Sequence, residues 1–147
     1  MTTTPSLPEL LRNSWRESGT VLRPGVTKED IERFEKQHNV RVPEALSQYF
    51  QTVDGMEDGD TDAHDIRFWR LAEVQPVSAE IPDADLGQFP GYFVFADYSV
   101  WAHGYAVRLS QGANDDVVIV GGDHPVLVAS SFKEFLAFYV HQPDKLF

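Results

Sequence analysis

No cysteine occurs anywhere in the 147 residues. That absence excludes disulfides, thiolate zinc sites and a cysteine nucleophile, and it fits a reducing cytoplasm. No apolar stretch approaches the roughly 18 residues that a membrane helix needs. The opening Met1 to Pro5 has neither the basic flank nor the apolar run of a signal peptide. The expected location is therefore the cytoplasm, with no membrane partner. Basic side chains are also scarce: 12 Lys and Arg stand against 23 Asp and Glu, a formal charge of -11. Nucleic acid is not expected as a partner, because phosphate contacts need clustered Lys and Arg. What the chain does have is 42% hydrophobic and 12% aromatic residues. Its length suits one domain that buries roughly 70% of the surface its unfolded chain exposes.

The negative charge is unevenly placed. Residues 1–53 carry seven basic and seven acidic side chains, and residues 124–147 carry two of each. Residues 54–123 carry fourteen acids against Arg67, Arg70 and Arg108, so the whole net charge lies there. The densest stretch is Asp54 to Asp65, with six acids and no Lys or Arg. A solvated loop is the ordinary meaning of such a run. The functional alternative is a negative field that attracts a positive partner and weakens with salt.

Patterning predicts helices first. Ser6-Leu-Pro-Glu9 is a capping-box pattern leading into Leu7, Leu10, Leu11 and Trp15 on one face. Gly19 and Arg23-Pro-Gly25 are expected to end that element. Thr27 and Asp30 open a second helix carrying Ile31 and Phe34, with Val26 and Ile31 at the spacing of a hydrophobic staple. Pro43 is expected at the first position of a third helix that shows Leu46, Tyr49, Phe50 and Val53 to a core and stops at Asp54-Gly55. Short strands are expected at 66–69, 92–96, 105–109, 117–120 and 126–128, with a turn or short helix at 71–77 and a polar connection at 83–90. Ser131-Phe-Lys-Glu134 opens a closing helix with Phe132, Phe135, Leu136, Tyr139 and Val140 on one face. Helices, then strands, then a helix, with no βαβ crossover, imply a single α+β domain. Its sheet should be mostly antiparallel, of about four to six strands.

A search for chemistry returns little. Asp58, Asp60 and Asp62 fall at positions 1, 3 and 5 of a would-be EF-hand loop, but Ala63 stands where Gly is required and Trp69 where a bidentate Glu is required. A weak, irregular Ca²⁺ or Mg²⁺ site stays open as a minor alternative. The five histidines show no i, i+4 pair, and Ser99 and Ser110 lack a Gly-x-Ser-x-Gly elbow. Gly104 and Gly121-Gly122 have no Gly-Lys-Ser/Thr to build a phosphate loop. No catalytic residue, metal ligand or cofactor is assigned.

What remains is Phe95-Ala-Asp97-Tyr98-Ser-Val-Trp101-Ala-His103-Gly104-Tyr105, aromatic with polar neighbours. Trp101 joins two predicted strands, where a large ring is either a lid over the sheet edge or an interface anchor. Trp69 poses the same choice and leans to core. The candidate partner-binding residues are Asp58, Asp60, Asp62 and Asp65 in the acidic run, with Asp97, Tyr98, Trp101 and His103.

Val42-Pro43, Tyr49-Phe50 and Asp54-Gly55 together resemble the Leu-Pro, Phe and Asn-Gly signature of the SUKH superfamily, with Val42 in place of its Leu. Phe68-Trp-Arg-Leu71 with Glu73 looks like its Trp-x-Leu-x-Glu segment. Phe95 to Trp101 and Tyr105 to Leu109 look like its central strands, and Ser131 to Leu136 is similar to its closing helix. The resemblance covers residues 22–147 and leaves 1–21 as an N-terminal helical extension. It implies a non-enzymatic protein-binding module, in bacteria commonly an immunity protein that blocks a toxin domain such as a nuclease or deaminase. The leading expectation is such an immunity protein, its negative charge meeting a basic toxin. The alternatives are a regulatory or scaffold protein of the same fold with an endogenous partner, and a divalent-metal-binding or hydrolytic protein using the 54–65 carboxylates.

Overall fold

The computed structural model describes residues 5–57, 61–62, 64–80, 91–99, 101–109, 114–121 and 125–146. The capping signals operate as the sequence predicts. In α1 (Leu7–Glu17) the Ser6 hydroxyl accepts from the Glu9 N–H, and α2 (Lys28–His38) has a full capping box between Thr27 and Asp30. Asn39 ends α2 in the left-handed conformation with φ 54°. Pro43 sits one position earlier than expected: it is the N-cap of α3 (Glu44–Thr52), which turns Leu46, Tyr49 and Phe50 inward.

Both helix stops fall where the sequence puts them, α1 ending at Glu17 ahead of Gly19 and Arg23-Pro-Gly25, and α3 at Thr52 ahead of Asp54-Gly55. The stop residues differ from expectation in being strands themselves: Leu22–Pro24 is β1, and Val53, expected on the helix, opens β2 (Val53–Met56). The two strands pair antiparallel, Leu22 opposite Met56 and Pro24 opposite Val53. Proline is tolerated there because this small sheet has only edges.

The main sheet has six strands and every described pairing is antiparallel. β3 (Ile66–Phe68) and β4 (Gln75–Pro76) both pair with β5 (Tyr92–Tyr98), separated by a 3₁₀ turn at Leu71–Glu73 and followed by the short α4 (Val77–Glu80). β6 (His103–Arg108), β7 (Val117–Val120) and β8 (Val126–Ala129) follow in order. The polar connection expected at 83–90 lies outside the described residues. α5 (Phe132–His141), capped by Ser131 on the Glu134 N–H, closes the fold. The molecule is a single α+β domain, as its patterning implied.

Aromatic side chains fill the space between sheet and helices. Phe95 meets Phe132 and Phe135 of α5 at ring separations of 5.4 and 5.2 Å, and Phe93 meets Phe34 of α2 at 6.0 Å. Trp15 of α1 is buried against Phe68 at 5.0 Å, with Tyr49 and Tyr139 edge-on at 6.4 Å each. α1 therefore shares one core with the sheet, each offset or edge-on ring pair adding about 0.5–1.5 kcal/mol beyond its buried area.

Candidate functional site

One end of the six-stranded sheet joins the two features singled out in the sequence. β3 and β5 run antiparallel with Ile66 opposite Tyr98, and just beyond that pair the Ser99 N–H donates to the Asp65 carbonyl at 2.8 Å. The end of the acidic run therefore lies directly beside the start of the β5–β6 turn. That turn is closed by the Ala102 N–H donating to the Tyr98 carbonyl at 2.8 Å, with Tyr98 opposite His103 as the last ladder pair.

The backbone here is unusual. Asp65 has φ 64°, Ser99 has φ 50° and Trp101 has φ 68°. Among the described residues the only other non-glycine with positive φ is Asn39, a helix cap. Residues with a Cβ avoid this region, and departures from that rule gather at functional sites.

Trp101 is held from several directions. Its backbone N–H donates to Asp97 Oδ2 at 3.1 Å, while Asp97 Oδ1 accepts from Trp69 Nε1 at 2.7 Å. Trp69 is buried and meets the Trp101 ring edge-on at 5.7 Å and 68°. On another side the indole lies against Gly104, where an added Cβ would come within 2.8 Å of Trp101 Cζ3. The residue as a whole is nevertheless 37% exposed. His103 stacks on Tyr98 at 4.9 Å with 20° between planes and meets Tyr105 edge-on at 5.1 Å. Burial holds its imidazole below the ordinary histidine value, so the ring is neutral at pH 7, and its Nε2 has no hydrogen-bond partner among the described residues.

The other sequence candidates separate. Asp58 and Asp60 lie outside the described residues. Asp65 is exposed. Asp62 turns inward: its carboxylate accepts from the His64 and Ile66 N–H groups at 2.7 and 2.9 Å and from the Tyr139 hydroxyl, which itself accepts from Trp15 Nε1 at 2.7 Å. Asp62 thus pins the end of the acidic run to the core and keeps its charge off the surface. Asp97 is likewise buried and bonded internally. Sequence reasoning missed Trp69 as the floor beneath Trp101 and Gly104 as the recess that seats it. The periodicity of β6 carries no sign of that recess.

The three basic residues of the acidic middle are already engaged. Arg67 and Arg70 bond the Glu73 carboxylate at 2.7 and 3.1 Å, and Arg108 pairs with Asp116 at 2.9 Å. These arginines hold Glu73 below the usual carboxylate range against the opposing effect of burial. Asp54, half-buried and accepting from the Leu71 N–H at 2.7 Å, is pushed upward by burial. Among the described residues no group of three or more His, Asp or Glu is arranged to hold a metal ion, and no helix is long and apolar enough to cross a membrane.

No curated protein sequence matches the chain. The model of the SMI1 / KNR4 family (SUKH-1) matches residues 25–137, well over half of the sequence and from the β1–α2 connection into α5. That span takes in every strand from β2 to β8, and with them the acidic run, Trp69, Asp97 and the Trp101 turn. Membership of this family supports a protein-binding module of the immunity or regulatory kind, and the chain belongs to the SMI1 / KNR4 (SUKH-1) family.

Proposed function

We propose that the protein is a non-enzymatic immunity-type module of the cytoplasm that docks on a basic toxin domain and neutralises it. The docking surface in this reading is the sheet end where the acidic run meets the Trp101 turn. The observation that supports it most is the Ser99–Asp65 hydrogen bond, which joins the last residue of the acidic run to the turn that carries Trp101. A large aromatic anchor beside charge of one sign is the arrangement of a steered, hot-spot interface. A toxin that acts on nucleic acid carries cationic residues for phosphate, which complement this surface.

The experiment is titration calorimetry with the toxin domain encoded beside this gene, across a salt series. Asp58, Asp60 and Asp65 are changed together to Asn, and Trp101→Ala is made separately. Asp62 is left in place because its loss would damage the core. Trp101→Ala is expected to weaken binding by at least tenfold. The triple variant is expected to lower both affinity and its dependence on salt. Unchanged affinity in both variants would overturn the reading. A gene with no toxin neighbour, whose product captures an endogenous protein through the same residues, would point instead to the regulatory role.

A further inference from the structure

The Trp101 turn carries more restraint than a surface turn needs. Asp97 is only 7% exposed, and a carboxylate out of water must be satisfied. Its register neighbour on β3 is Arg67, but that guanidinium is committed to Glu73 and to the Glu57 carbonyl. Among the described residues Asp97 makes no ion pair, and its two oxygens each take one N–H donor. Both donors belong to tryptophans: the Trp69 side chain and the Trp101 backbone. The second of these bonds falls on a residue in left-handed backbone, and the Gly104 recess receives the ring that results. Three costly features, a buried carboxylate, a left-handed tryptophan and an obligatory glycine, converge to aim one indole. A scaffold needing only burial would use an apolar residue at position 97.

We infer that Asp97 is a positioning residue that presets Trp101 as a rigid anchor, by bracing its backbone and fixing the Trp69 floor beneath it. The fitting partner is a folded basic protein with an apolar slot for the indole, entered without rearrangement of the β5–β6 hairpin. Presetting removes ordering cost from the bound state, so its loss appears as lost affinity. The consequence for docking rests on the function proposed above; the positioning itself does not.

The test begins without any partner. Two indoles held edge-on at 5.7 Å should give a coupled circular-dichroism band that Trp101→Phe abolishes. Asp97→Asn keeps size and one acceptor but turns the other atom into a donor facing an N–H. It is expected to reduce the band to the Trp101→Phe level while unfolding stays cooperative. Asp97→Asn should also weaken binding to the toxin domain encoded beside the gene by about tenfold. It should add no further loss on a Trp101→Ala background, because both changes remove the same anchor. In the unmodified protein, the Trp101 amide and the Trp69 indole N–H should exchange slowly with solvent. A band that survives Asp97→Asn, or rapid exchange of either N–H in the unmodified protein, overturns the inference even if the variant folds poorly. A lost band with Trp101→Ala binding normally would leave the positioning standing and sink the docking function.

Discussion

Asp62 and Asp97 come from the acidic middle of the chain, and each serves the interior. Asp62 ends a buried relay in which the Trp15 indole donates to the Tyr139 hydroxyl and that hydroxyl donates to the carboxylate. Burial and the neighbouring carboxylate push the Tyr139 phenol far above its ordinary value, so it remains a donor at every practical pH. Tyr139→Phe would keep the ring contacts and remove the hydroxyl from both neighbours. The expected cost is about 1–3 kcal/mol, the price of unpaired buried polar groups, measured as a lower urea midpoint with unchanged slope. The sequence offered no way to tell Asp62 from the acids around it, because its partner lies 77 positions away.

At the level of elements, helices with caps were legible and the small β1–β2 sheet was not. Ser6, Thr27 and Ser131 announce their helices through local chemistry that needs no distant partner. β1 and β2 are three and four residues long and carry Pro24 and Gly55, so each segment alone reads as a breaker. Their pairing is a tertiary fact. Gly25 shows the same dependence: a Cβ there would lie 1.9 Å from the Gln51 carbonyl oxygen of α3. Gly25→Ala must therefore separate α3 from the β1–α2 connection, where the Val26 N–H donates to the Phe50 carbonyl at 2.8 Å. A loss of about 1–3 kcal/mol or more is expected from such overpacking, checked by thermal unfolding. The candidate site was half legible in the same sense. Trp101 and the charge run stood out in the sequence, but whether that ring is a lid or an exposed anchor, the Asp97 brace and the Gly104 seat are decided only once β3, β5 and β6 are side by side.

For the whole molecule, pH acts first through histidine. Burial lowers the values of both His38, which sits against Phe34 and Phe93, and His103. The folded protein therefore resists protonating them, while the unfolded chain takes up protons near pH 6.5. Their stabilising contribution is complete above that value and is lost as pH falls below it. Chemical denaturation at pH 7.5 and 5.5 should show lower stability at 5.5. The combined His38→Gln and His103→Gln variant should show a flatter dependence. Asp30 and Glu73, whose values are lowered, add a second loss only below the usual carboxylate range, so the two effects fall in separate windows.

The three tryptophans are unequally sheltered: Trp15 is 1% exposed, Trp69 5% and Trp101 37%. Fluorescence emission from the first two is expected to report a dry environment, and that from the third the solvent boundary. Anything settling on the sheet end would shift the emission of the Trp101–Trp69 pair and leave that of the distant Trp15 nearly unchanged. The molecule thus carries its own optical gauge of occupancy, readable without a label.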